Sequence, residues 1–157
     1  MRSRLWFPML CVWLLALAAG AAQAAERPAN EAPLGGVSFR TLDGDVQEVE
    51  ISEIWRIRDT AGRDEPPGAV VIDYAFERLY VKDTLDNVVA KVRVRRKVDR
   101  FTLPSGKPVY VVADKVIGIM RAIPGQHHER SKSLLMAREG QQQVQESREA
   151  IRELLHK

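Results

Sequence analysis

Residues 99–119, DRFTLPSGKPVYVVADKVIGI, decide the fold. Phe101-Thr102-Leu103 leads into Pro104-Ser105-Gly106-Lys107-Pro108, a run of turn formers, and then into the β-prone Val109-Tyr110-Val111-Val112, so the stretch reads as a hairpin followed by further strand. The same grammar stands 62 residues earlier, where Val37 to Thr41 alternates, Asp43-Gly44-Asp45 supplies a turn, and Val46 to Ile51 alternates again. A shift of 62 lays Phe39 on Phe101, Gly44 on Gly106, Val49 on Val111 and Ile57 on Ile119, with Ile54 on Val116. Those four identities fall in the 20 positions 39–58, where chance gives roughly one.

With one more residue of offset, Val81-Lys82-Asp83-Thr84 falls on Val144-Gln145-Glu146-Ser147, and Asp86 and Val88 fall on Glu149 and Ile151. Ser147 has the character of an N-cap before Ile151, Leu154 and Leu155 at helical spacing, and Thr84 stands likewise before Leu85, Val88, Val89 and Val92. A helix over about 85–92 is expected, then strand or connector through 98. The expected fold is α+β and β-rich: tandem ββ(β)βα units of about 60 residues at 37–98 and 99–157, sharing one core because so short a unit buries too little surface alone.

Ahead of the first unit, Arg2 and Arg4 precede the apolar run Leu5–Ala19 and the small-residue tail Ala22-Gln23-Ala24, the pattern of a cleaved Sec-type signal peptide over 1–24. Fifteen residues interrupted by Pro8 fall short of the ~20 of a membrane-spanning helix. Cleavage after Ala24 leaves 133 residues with 22 basic and 21 acidic side chains. Residues 25–36 hold two prolines and two glycines and read as a flexible leader. Cys11 is the one cysteine, so the mature chain holds no disulfide or Cys-ligated metal, and a periplasmic or secreted location is expected.

The second half, with its turn Gly106, strand Val109–Val112, the run Asp114-Lys115-Val116-Ile117-Gly118-Ile119, a strand pair around Gly140 and Val144-Gln145-Glu146-Ser147 opening a helix, resembles the short FlbD/SwrD-type flagellar proteins. More loosely it resembles the β-rich LytTR DNA-binding domain. The resemblance implies a topology and a non-catalytic accessory role.

Chemistry-bearing constellations are sparse. His127-His128-Glu129 would need ligands from elsewhere to hold a metal and reads as a solvated loop. There is no Gly-rich phosphate loop, GxSxG elbow or nucleophilic cysteine pattern, so neither an enzyme, a cofactor nor a small-molecule substrate is expected. Lys91, Arg93, Arg95, Arg96, Lys97 and Arg100 crowd six bases into ten residues, either a solvated face or a patch for an anionic surface. Trp55, beside Arg56 and Arg58, reads as core first and as a partner anchor second. The loops Asp59–Gly68 and Arg121–Ser133 hold equivalent places yet differ in charge, which marks them as binding loops. Candidate partner-binding residues are therefore Trp55, Arg56, Arg58, Arg93, Arg95, Arg96, Lys97, His127 and His128.

The leading expectation is an exported, non-enzymatic adaptor that binds another envelope protein, with no nucleic acid among its partners. One alternative is a module for an anionic polymer or membrane surface through residues 91–100. The other is a LytTR-like DNA binder, if residues 1–24 are not a signal.

Overall fold

The computed structural model describes residues 35–156; the expected signal peptide, and the expected leader up to residue 34, lie outside them. In chain order the elements are β1 (Gly36–Arg40), β2 (Val46–Glu50), a 3-10 turn (Ile51–Glu53), β3 (Ile54–Asp59), β4 (Val70–Tyr74), β5 (Glu77–Val81) and α1 (Leu85–Arg93). Then come β6 (Val98–Thr102), β7 (Pro108–Val112), a second 3-10 turn (Ala113–Lys115), β8 (Gly118–Arg121), β9 (Ser133–Ala137), β10 (Gly140–Val144) and α2 (Arg148–Leu155). The described chain is thus α+β and β-rich.

Three antiparallel sheets result. β1 and β2 form a two-stranded ribbon, β8, β9 and β10 a three-stranded sheet in the order β10-β9-β8, and the central sheet runs β5-β4-β3-β7-β6. The central sheet is built by both halves of the chain, because β3 pairs with β7. Its two faces bury different side chains, as strand alternation requires. On one face Ile57, Ile72 and Val112 meet Phe39 and Val49 from the ribbon and Val88, Val89 and Val92 from α1. On the other, Phe101, Val109 and Val111 meet Leu135, Val144 and Ile151. The shared single core expected from the sequence is therefore two cores on either side of one sheet. Packing two sides of a five-stranded sheet removes more apolar surface from water than one shared interface between small units would.

Local chemistry sets the boundaries. The Thr84 hydroxyl accepts from the Asn87 N–H and caps α1, while the Ser147 hydroxyl accepts from the Ala150 N–H and caps α2. α1 ends at Arg93, so residues 91–97 do not form a strand, and Val94 is exposed. β6 begins at Val98, one residue inside the segment assigned to the first unit, and β1 begins at Gly36, inside the expected leader.

The hairpins β1–β2 and β6–β7 match in detail. β1 pairs with β2 as β6 pairs with β7, with Phe39 opposite Gln47 and Phe101 opposite Val109. Gly44 and Gly106 take φ of +94° and +90°, a left-handed conformation that glycine adopts without strain. The hairpins close on equivalent bonds, Thr41 N–H to Asp45 O and Leu103 N–H to Lys107 O, both 2.8 Å. Val49 and Val111 are both buried, whereas Ile57 is buried and Ile119 only half-buried.

Candidate functional site

One end of the fold gathers four connections. β3 ends beside the start of β7, so the loop 60–69 and the turn 103–107 lie at the same end of the central sheet. The Gln145 N–H donates to Thr102 O at 2.9 Å and its side-chain amide to Leu103 O, also at 2.9 Å, which brings the β10–α2 junction to that end. Ser133 pairs with both Val144 and Arg121, so the loop 122–132 joins them. A cleft of about 410 Å³ opens there, lined by Arg121, Lys132, Ser147, Arg148 and Glu149 among others. Three exposed bases thus flank the first turn of α2.

The N–H groups of a helix's first turn have no intrahelical acceptors, and the helix dipole places partial positive charge there. A cleft joining such a turn to two arginines and a lysine suits an anionic oxygen group. Glu149 is the one acid in its lining, and its carboxyl is held below the usual carboxylate range by its own backbone N–H, then by Ser147 and by Arg148 and Arg152. Within the described residues 115–132, four bases stand against the single acid Glu129.

The histidines lie beside this cleft and hold its loop together. His127 Nδ1 accepts the Ile123 N–H at 2.9 Å and His128 Nδ1 accepts the Arg130 N–H at 3.1 Å. The His128 N–H and the Ser131 hydroxyl both donate to Gln143 Oε1, at 3.0 and 2.8 Å, fixing the loop to β10. No group of three or more His, Cys, Asp or Glu side chains suited to a metal occurs among the described residues.

The other sequence candidates sit elsewhere and are engaged within the chain. Trp55 is buried, with the Arg56 guanidinium stacked 4.3 Å from its ring centre. Arg56 also bonds Asp73 at 2.8 Å and Gln142 at 2.7 Å, and Arg58, itself buried, makes a two-pronged bond to Glu65. Arg78 links Asp73 to Glu65, so the five charged groups form one network that clamps the loop 60–69 onto the sheet. Arg58 holds the Glu65 carboxyl well below the usual carboxylate range.

The bases from Lys91 to Lys97 are likewise engaged, while Arg100 at the end of the run is exposed. Lys91 reaches Asp83 at 3.2 Å, Arg93 donates to Val98 O and lies over the Tyr110 ring, and Arg96 pairs with Asp114. Lys97 donates to Leu154 O and Leu155 O, satisfying the last carbonyls of α2, and Arg95 is also engaged. The sequence reading missed Arg121, Lys132 and Arg148 as a group. Two of its observations together carry the signal: the basic loop Arg121–Ser133 and the cap Ser147, which the β9–β10 hairpin brings to one place.

No family model matches the chain, and no curated protein matches it. Among solved structures the chain is similar to the LytTr DNA-binding domain of a methyl-accepting/DNA response regulator from Bacillus cereus. The TM-score is 0.50 and the identity 17%, over 77% of this chain and 96% of that domain. At that identity the likeness is one of fold, and it supports the looser, LytTR-type resemblance. It also corrects two expectations. The likeness favours the LytTR-like alternative over the adaptor reading and over the exclusion of nucleic acid from the partners, because 96% of a DNA-binding domain is covered; residues 1–24, on which the export expectation rests, lie outside the described residues. The exclusion rested on the expected export, since nucleic acid is scarce outside the cytoplasm, and the linear sequence does not show where the fold gathers its bases.

Proposed function

We propose that this chain is a non-catalytic DNA-binding module that grips the phosphate backbone at the end of the fold where the loop 122–132, the turn 103–107 and the start of α2 converge. The observation that carries the reading is the cleft of Arg121, Lys132 and Arg148 at the α2 N-terminus, in a fold similar to a DNA-binding domain. In this reading the three bases and the first-turn N–H groups fix register on the backbone, which carries no sequence information. Side chains on the flanking loops, Ser105, Lys107, His127 and His128, are then the ones placed to reach base edges. The test is fluorescence anisotropy with a labelled duplex of mixed sequence at low salt. Binding that weakens steeply as salt rises supports the proposal; no binding at low salt overturns it.

Where the module meets DNA turns on residues 1–24. N-terminal sequencing of the expressed chain is the test: a cut after Ala24 places it with polymers outside the cytoplasm, and an intact Arg2 is what contact with chromosomal DNA requires.

We also infer that the two halves, 37–92 and 99–157, are copies of one unit. The support is a common order of hairpin, 3-10 turn, three-stranded meander and capped helix, with pairing registers related by 62 residues in the hairpin and first meander strand and 63 in the next two.

A further inference from the structure

The pairing between the halves leaves its mirror positions open. β3 pairs with β4 and β7 in the central sheet, and through Arg56 it bonds the Gln142 side chain and the Gln141 carbonyl of β10. The registers are Arg56 opposite Val111, Ile57 opposite Tyr110 and Arg58 opposite Val109. By the offsets above, β8 corresponds to β3, β2 to β7 and β5 to β10. Among the described residues β8 is an edge strand and β2 pairs only with β1. Between β2 and β5 lies a cleft of about 690 Å³, lined by Val46, Gln47, Glu48, Arg78, Leu79 and Tyr80. It is the counterpart of the seat that β3 fills, since Arg78 and Leu79 correspond to Gln141 and Gln142.

The exposed side chains of β8 match this vacancy. Trp55 is 3% exposed and its counterpart Ile117 is 66% exposed; Arg58 is 8% exposed and its counterpart Met120 is 52% exposed. Ile123 beyond the strand and Val46 on β2 are exposed as well. Charge agrees. The hairpin and turn from 43 to 53 carry Asp43, Asp45, Glu48, Glu50 and Glu53 with no base, whereas 115–132 carry four bases and one acid.

We propose that copies of this chain associate head to tail, the β8 edge of one copy adding to β2 of the next and filling the cleft between β2 and β5. The expected register sets Gly118 opposite Val49, Ile119 opposite Glu48 and Met120 opposite Gln47. Main-chain ladder bonds supply the attachment, and Met120 and Ile117 leave water as their counterparts do within one chain. The contact joins two different surfaces, so it forms a ring or an open chain of copies. It rests on the inferred correspondence between the halves and not on the proposed DNA-binding function.

The test uses two blocked variants, Met120→Glu on β8 and Val46→Lys on β2, with wild type, in sedimentation velocity at low salt up to the highest soluble concentration. All carry the same residues 1–34, so differences between them belong to the edges. Circular dichroism melts establish that both variants fold; if one does not, Ile117→Glu or Gln47→Lys takes its place. Wild type is expected to grow in mass with concentration, and less so at high salt. Each variant alone is expected to stay monomeric, and their equimolar mixture to form dimers and nothing larger, because one intact β8 and one intact β2 remain between them. A monomeric wild type, variants that associate as wild type does, or a mixture that stays monomeric would each overturn the proposal.

Discussion

Replacing Arg121, Lys132 and Arg148 together by glutamine tests the cleft quantitatively. All three side chains are exposed, so the triple variant should fold with a stability close to that of wild type. Each phosphate contact releases condensed counterions and contributes about −0.9 to the slope of log K against log salt, so losing three flattens it by about 2.7. By the same relation one contact is worth about 8-fold in affinity at 0.1 M salt, and three about 500-fold. Anisotropy titrations of a labelled duplex at several salt concentrations read both quantities. The control is Arg93→Gln with Arg96→Gln, two bases occupied by Val98 O and Asp114; it should leave the slope unchanged. A triple variant with the wild-type slope, or a control that flattens it, would refute the placement of the interface.

Four further outcomes follow from the same geometry. Glu149→Gln removes the acid from the cleft lining and should tighten duplex binding severalfold in the same titration. Glu65→Ala leaves Arg58 buried without its partner and should lower unfolding stability by about 3–5 kcal/mol in urea denaturation. Because the Glu65 carboxyl is depressed in the folded chain, its stabilisation is complete above the ordinary Glu value near 4.3 and is lost as pH falls below it; Glu65→Gln should flatten this acid limb in melts run against pH. At the β4–β5 turn Ala75 and Phe76 take φ of +43° and +65°, and Phe76 is 77% exposed, so Phe76→Gly should raise stability by about 1 kcal/mol, measured by urea denaturation.

Much of the fold is legible in the chain because its signals are local. The turns at Gly44 and Gly106 demand positive φ, the caps Thr84 and Ser147 announce their helices, and alternating residues such as Val109 and Val111 set the buried face. Long-range choices are not written locally. That β3 pairs with β7 across the halves, and so divides the interior into two cores, depends on edges that meet only after each hairpin has formed. The same limit hides the site. Arg121, Lys132 and Arg148 look like ordinary surface residues in sequence, while the conspicuous bases from Lys91 to Lys97 are drawn into capping α2 and pairing with Asp83 and Asp114. Density of charge along a chain is a weaker guide than convergence in space.

The central claim is that DNA meets the end of the fold built from residues 103–107, 121–132 and 145–149. Titrating the isotope-labelled chain with a short duplex at low salt, and following backbone amide shifts by nuclear magnetic resonance, tests it most directly. The account predicts that the largest shifts fall on those three segments, with Arg121, Lys132 and Arg148 among them, while α1 and the acidic hairpin 43–50 stay still. Shifts centred on residues 91–100 or on the hairpin, or a spectrum that does not change at all, would contradict it.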